Sequence, residues 1–357
     1  LHLSLRRQRQ MCIRDSYNTW AVETGCDPEE NGPLAHDFSY RGMAGIEAAS
    51  ASGAGHLISF IGSDSLSAWD YIMSTYPKTE GVIQIGVPAT EHAVMTAGAN
   101  VRENGTMDER EQVQRLLDLY PQGFVSVVSD SYDYWDMITT VLPEFKEQIM
   151  KRDGRYVVRP DSGNPVDIVT GDPNAQPGSA EHKGTLEVLW EIFGGTINEK
   201  GYKVLDPHIG VIYGDSMNYN TINEMCSRME AKGFATCNIV FGLGSYNYQY
   251  VTRDSYGFAM KTTWVEVDGK PKSVFKDPKT AQNVKSSARG LLTLTEKKGQ
   301  RVFKQDVHAS VEAREKYNDV FNLVFKNGVI MNMEDDFQKI RKNLQYASKR
   351  AKDNEWF

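Results

Sequence analysis

Cysteine, positive charge and long apolar runs are all scarce in this chain of 357 residues. Its four cysteines, Cys12, Cys26, Cys226 and Cys237, show no paired spacing. That argues against a zinc site or a disulfide framework and favours a reducing, cytoplasmic compartment. A net charge of −7 rules out nucleic-acid binding through bulk positive charge, so an anionic ligand needs local clusters of Arg and Lys. No apolar run is long enough to span a membrane. The basic N-terminus lacks the apolar stretch of a signal peptide. What is present is ordinary for a globular protein: 40% hydrophobic and 24% charged residues, in a chain long enough for two domains.

Composition changes abruptly at Tyr17. Leu1 to Ser16 carry four arginines and few core-forming residues, and Met11–Ser16 resembles translated sequencing adapter. This stretch reads as foreign, with a natural basic, disordered arm as the alternative. Beyond it, six short apolar runs end in polar or charged residues. They are Leu57–Ser63 before Asp64, Val82–Pro88 before Glu91 and His92, and Phe124–Ser129 before Asp130. The others are Tyr156–Val158 before Arg159 and Asp161, Ile209–Gly214 before Asp215, and Ile239–Phe241 before Gly242. Short continuous apolar runs read as strands buried on both faces. Helical patterns separate them, at about 43–54, 65–76, 108–119, 133–151 (broken at Pro143), 185–193 and 219–232. Alternating strand and helix predicts a parallel sheet. Polar groups at the end of strand after strand favour a barrel with its site at one rim over an open doubly wound sheet.

The pattern changes near Arg253. Asp268-Gly269 turns a hairpin between Trp264–Val267 and Ser273–Phe275. Leu291–Thr295 with Arg301–Lys304 reads as a second hairpin, and Asn327-Gly328 marks a third. A polar helix is predicted from Asp335 to about Lys352. The organisation is an N-terminal remnant over 1–35, a barrel over 36–252 and a β-rich segment over 253–357.

Arg159 leaves a buried run, and Asp161 follows on a proline-constrained backbone. This sets a permanent cation beside a carboxylate, a pair suited to phosphate oxygens and ribose hydroxyls. An ion pair closing the barrel rim would use the same residues. Gly242-Leu243-Gly244-Ser245 offers backbone N–H groups to a phosphate, although a short glycine loop alone is a weak signal. Arg253, Lys261, Lys276, Lys285 and Arg289 follow. His92, next to Glu91, is either a structural histidine or a nucleophile able to accept a phosphoryl group. Asp64, Asp130 and Asp215 each end a run, where an aspartate can also simply cap a helix. His36–Gly42 combines aromatic rings with Arg41 and can stack a flat ring beside an anion.

These motifs, His36–Gly42, Gly62–Asp64, Pro88–His92, Ser126–Asp133, Arg159–Pro165, Gly214-Asp215, Phe241-Gly242, Thr252–Asp254 and Val274–Pro278, stand in the order seen in the nicotinamide phosphoribosyltransferases. The resemblance runs from about Tyr17 to the C-terminus. It implies the type II phosphoribosyltransferase fold, an irregular α/β barrel with a second, β-rich domain that is incomplete here. It also implies transfer of phosphoribose from phosphoribosyl pyrophosphate to nicotinamide, giving nicotinamide mononucleotide and pyrophosphate in NAD salvage. Nicotinate as acceptor, or an inactive fragment of the same fold, are the alternatives.

By this resemblance Phe38 stacks on the nicotinamide ring and Asp64 accepts from its amide. Arg41 and Arg159 hold substrate and phosphate groups, and Asp161 and Asp215 contact ribose. Gly244, Ser245, Arg253 and Lys261 fall where phosphate binds, some reaching in from a partner subunit of a homodimer. His92 matches a histidine phosphorylated by ATP, with Glu91 and Asp130 orienting it or its surroundings. Magnesium accompanies the pyrophosphate, and no protein metal site is implied. Gly86 stands where familiar members have a serine, leaving Ser126 as the nearby hydroxyl. Gly244-Ser245-Tyr246 has fewer glycines than the family's loop. The family completes its ring sandwich with an aromatic residue from the partner's N-terminal region, which these 357 residues are expected to lack.

Overall fold

The computed structural model describes residues 2–103, 105–214, 217–249, 259–278, 287–297, 300–306 and 319–331. Six parallel strands form its central sheet: β1 (Ala35–Asp37), β2 (Gly62–Ser63), β3 (Val125–Val128), β4 (Tyr156–Arg159), β5 (Ile209–Tyr213) and β6 (Ile239–Leu243). Their order is β2-β1-β6-β5-β4-β3. Every residue of β3, β4 and β5 is buried, as a parallel sheet covered on both faces requires.

The two outer strands are joined by an irregular segment. Ser63 N–H donates to Ile85 O (3.0 Å), and Ile85 N–H donates to Ile61 O (2.7 Å). Five residues on, Thr90 N–H donates to Ser126 O and Ser126 N–H donates to Pro88 O, both at 2.9 Å. Ile85 therefore bridges β2 and Ala89 bridges β3. The sheet curls into an irregular α/β barrel closed by single bridges, not an open doubly wound layer.

Two apolar runs are shorter as strands than their sequence suggests. Leu57–Ser63 is mostly turn, because the preceding helix continues to His56 and only Gly62–Ser63 pairs. Val82–Pro88 contributes bridges but no ladder. Conversely, β1 carries His36 and Asp37 and gives no apolar signal. Its buried Asp37 carboxylate is satisfied by the Ser39 N–H (2.9 Å) and the Ser65 hydroxyl (2.8 Å).

Helices α1 (His2–Glu23), α2 (Ile46–His56), α3 (Leu66–Thr75), α4 (His92–Gly98), α5 (Arg110–Leu119), α6 (Pro165–Thr170), α7 (Thr185–Phe193) and α8 (Tyr219–Ala231) flank the sheet. α5 buries Val113, Leu116 and Leu117, one face of a helix. α8 starts where the Asn218 side chain accepts from the Asn220 and Thr221 N–H groups. Over 134–150 the helical break falls at Phe145, not at Pro143. A π turn over Met137–Val141 precedes Pro143, which then sits in a first helical turn where its missing N–H costs little.

The stretch before Tyr17 is not an irregular arm in this structure. It is continuous with α1, which buries Gln10, Ile13, Tyr17 and Ala21. Arg14 donates to Ser59 O and Pro28 O, with its guanidinium over the Phe60 ring. Tyr17 OH donates to Thr236 O and Ile239 O at the foot of β6.

Three antiparallel hairpins follow the barrel. They pair Trp264–Val267 with Lys270–Ser273, Thr293–Lys297 with Gln300–Lys304, and Phe325–Lys326 with Val329–Ile330. Asp268-Gly269 (φ 50° and 73°) and Asn327-Gly328 (52° and 81°) supply the left-handed residues of tight turns. The predicted terminal helix lies outside the described residues. Among the described residues, no helix is long and apolar enough to cross a membrane.

Candidate active site

Because all six strands run the same way, their C-terminal ends gather at one mouth. Phe38 follows β1, Asp64 follows β2, Asp130 stands two residues past β3, and Arg159 ends β4. The Arg159 guanidinium lies 4.9 Å from the Phe38 ring centroid. Gly242, near the end of β6, admits the ring: a Cβ there would stand 2.7 Å from Phe38 Cδ2 and from Gly214 Cα. Gly214 in turn lets β5 approach the cation. A Cβ on it would lie 3.2 Å from Asp161 Oδ1 and 3.3 Å from Arg159 Nε. Arg159 is buried, and its Nε has no hydrogen-bond partner among the described residues.

Asp64 Oδ1 lies 2.7 Å from His36 Nε2. His36 is nearly buried, whereas the Asp64 side chain is 52% exposed. The histidine thus fixes a carboxylate that still faces solvent. The rings of His36 and Phe38 lie 4.8 Å apart, so carboxylate, imidazole and phenyl ring form one unit. A Cβ on Gly86 would come within 3.8 Å of Asp64 Oδ1, so the position matching the family's serine does border this carboxylate. Ser126 is buried in β3, next to the closing segment.

A second cluster surrounds His92, the first residue of α4. Its Nε2 is 3.4 Å from Asp161 Oδ2, 3.8 Å from Asp130 Oδ1 and 2.6 Å from Lys276 Nζ. Its Nδ1 is 3.4 Å from Ser131 Oγ. Asp130 Oδ2 accepts from the Asp161 N–H at 3.0 Å, which ties the ends of β3 and β4 together. Burial alone would raise the Asp161 carboxyl. The hydrogen bond from His92 and the charges of Arg159, Lys276 and His92 override it and hold the group well below the usual carboxylate range.

Glu109, just before α5, is the opposite case. It is buried, its Oε1 has no partner among the described residues, and Asp130 adds like-charge repulsion. Its carboxyl is pushed up to about 8, so it stays protonated at neutral pH.

Arg41 and Glu91 face each other across the mouth, Nη1 to Oε2 at 3.9 Å, both largely exposed. Gly244 and Ser245 lie beyond β6, and the Ser245 side chain fills the space beside Gly42. Gln249 donates to Gly42 O at 3.1 Å, which seats the Arg41 loop on the Gly244-Ser245 loop. Lys261 is exposed and makes no hydrogen bond or ion pair among the described residues. Asp215 and Arg253 lie outside the described residues.

Phe38, Asp64, His92, Asp130, Arg159 and Asp161 thus share one mouth, with Arg41, Glu91, Gly244 and Ser245 on its rim. Sequence reasoning gave no role to His36, Ser131 or Glu109, and it left Lys276 among the unassigned lysines. The one available signal for Lys276 was a lysine embedded in Val274-Phe275-Lys276-Asp277. For Glu109 the sequence holds no signal, since burial decides its state.

The model of the nicotinate phosphoribosyltransferase (NAPRTase) family matches residues 34–321. A nicotinamide phosphoribosyltransferase of Acinetobacter baylyi is 41% identical over 345 residues, covering 94% of this chain and 65% of the relative. Its counterpart in Xanthomonas campestris is 37% identical, covering 80% and 56%. That of Mycoplasma pneumoniae is 34% identical, covering 73% and 54%. The chain therefore spans between 54% and 65% of the length of these relatives.

Proposed function

Because the chain belongs to the nicotinate phosphoribosyltransferase family, we propose that it transfers phosphoribose from phosphoribosyl pyrophosphate to nicotinamide. The products are nicotinamide mononucleotide and pyrophosphate, in a cytoplasmic NAD salvage reaction. The relatives' names support nicotinamide as acceptor. The observation that carries the choice is Asp64, fixed by His36 beside the Phe38 ring. A carboxylate there accepts from the amide N–H₂ and repels the carboxylate of nicotinate.

The chemistry follows from the charges. Phe38 stacks the pyridine ring, and Arg159 and Arg41 bind phosphate oxygens with the backbone N–H groups at Gly244 and Ser245. Asp161, ionised by its cationic neighbours, faces the ribose and stabilises positive charge as the glycosidic bond forms behind the departing pyrophosphate. Magnesium favours one or two carboxylates plus substrate phosphates. Asp130 and Asp161 fit that donor set, so the ion enters with the pyrophosphate as part of the substrate.

His92 is the phosphoryl acceptor. For attack Nε2 must be unprotonated: its hydrogen bond to Asp161 gives way to one accepted from Lys276, and Nδ1–H then points to Ser131. Nε2 attacks the terminal phosphorus of ATP, the bond to ADP breaks, and Lys276 neutralises the new phosphoryl charge. The active unit is a homodimer with its site at the subunit interface.

The test is turnover of the full-length protein with each acceptor. Preference for nicotinamide supports the reading. Equal or better use of nicotinate, the acceptor in the family's own description, replaces it with the acid-specific reaction.

A further inference from the structure

Cys26 and Cys237 are 211 residues apart in sequence, yet the Cys237 N–H donates to Cys26 Sγ at 3.3 Å, and the Thr24 hydroxyl lies 3.8 Å from the same sulfur. Cys26 follows α1. Cys237 lies in the single turn Thr236–Asn238 that leads into β6. The junction is rigid: Thr24 and Thr236 hydroxyls are 3.0 Å apart, Thr236 N–H donates to Thr24 Oγ1 at 3.1 Å, and Tyr17 OH bonds on both sides of the turn. Neither cysteine is fully buried, so a small oxidant can reach them.

We propose that Cys26 and Cys237 form a peroxide-oxidisable dithiol, a modification site outside the barrel mouth and independent of the transfer reaction. Cys26 is the nucleophile. The neighbouring Cys237 thiol outweighs burial, and the Cys237 N–H and the surrounding threonine hydroxyls add to its effect, lowering the Cys26 thiol to about 6. The neighbouring Cys26 sulfur, together with burial, holds the Cys237 thiol up, which suits the resolving partner. The Cys26 thiolate attacks hydrogen peroxide, the O–O bond breaks, and sulfenic acid and hydroxide form. The Cys237 sulfur then attacks the Cys26 sulfur. The S–O bond breaks, its oxygen leaves as water with the Cys237 proton, and a disulfide remains. Two thiols are oxidised and one peroxide is reduced. Cys226 is the internal control, because it is buried inside α8 and burial holds its thiol up.

The bond would staple the end of α1 to the entry of β6. Closing so long a loop restricts the unfolded chain, so the oxidised protein should melt at a higher temperature. The experiment treats the full-length protein with hydrogen peroxide, blocks remaining thiols with iodoacetamide and maps the peptides. A Cys26–Cys237 cross-link, reversed by dithiothreitol, is expected. At pH 7 Cys26 should be consumed about twofold faster than free cysteine, its larger thiolate fraction being partly offset by lower nucleophilicity. In Cys237→Ser, Cys26 should stop at a sulfenic acid trapped by dimedone. Cys26 left as a free thiol after peroxide, or cross-linked to Cys12 or Cys226, would overturn the assignment. Because the wild type carries the main readout, a folding defect in the variant cannot obscure the answer.

Discussion

Lys276 Nζ stands 2.6 Å from His92 Nε2, across 184 residues of sequence. Four residues earlier, Lys272 Nζ donates to the Ala97 and Ala99 carbonyls at the other end of α4. One segment of the β-rich region thus holds both ends of the helix that carries His92. Phe275, between the two lysines, packs edge-on against Tyr132 at 5.6 Å, and Asp277 N–H donates to Ser131 O at 3.0 Å.

Lys276→Met should therefore reduce labelling of His92 by ATP by at least about tenfold, the scale of losing one charge-assisted bond. Lys276→Arg should recover part of it. Phosphate counting on the purified protein reads this directly, with His92→Ala as the unlabelled control. Full labelling of Lys276→Met would remove the lysine from the phosphoryl site.

Asp64→Asn should lower kcat/KM for nicotinamide by about 10- to 100-fold, the cost of a charge-assisted hydrogen bond in a substrate pocket, and narrow the preference over nicotinate. The half-exposed carboxylate contributes little to stability, so the melting temperature should barely move. Steady-state kinetics with both acceptors checks this.

Glu109 makes stability depend on pH with a definite sign. Its folded carboxyl titrates near 8 and its unfolded one near the ordinary value of about 4.3. Between these values the folded state holds a proton that the unfolded state has released, so this group's contribution falls as pH rises. Glu109→Gln mimics the protonated acid. It should match the wild type near pH 4.5 and exceed it increasingly up to pH 8, by on the order of a few kcal/mol. Urea denaturation at several pH values reads the difference.

Gly242→Ala should push the Phe38 ring away and strain the strand against Gly214. Overpacking of this kind costs ~1–3 kcal/mol. The variant should melt earlier and show a raised KM for nicotinamide, with less change in the KM for phosphoribosyl pyrophosphate.

Much of the barrel was legible in the sequence because β3, β4 and β5 are buried on both faces and read as plain apolar runs. α7 and α8 likewise carry clear helical spacing. β1 was not legible: His36 and Asp37 are polar, and only their neighbours' hydroxyls and amides make burial tolerable. The closing segment Ile85–Thr90 bonds through isolated bridges that no periodicity encodes. At the mouth, Asp64, His92, Arg159 and Asp161 follow the apolar runs that pointed to them, whereas Phe38 was reached only through the His36–Gly42 motif, because the strand before it gives no apolar signal. Lys276, Glu109 and the Cys26–Cys237 pair depend on contacts between distant segments, and a linear pattern does not record those.

Convergence of the mouth side chains on one ligand is tested most directly by a crystal structure of the full-length protein with nicotinamide mononucleotide. The pyridine ring should lie on Phe38, the amide at Asp64 and the phosphate between Arg159 and the Gly244-Ser245 loop. A nucleotide bound elsewhere, or bound here with its amide turned away from Asp64, would contradict that convergence.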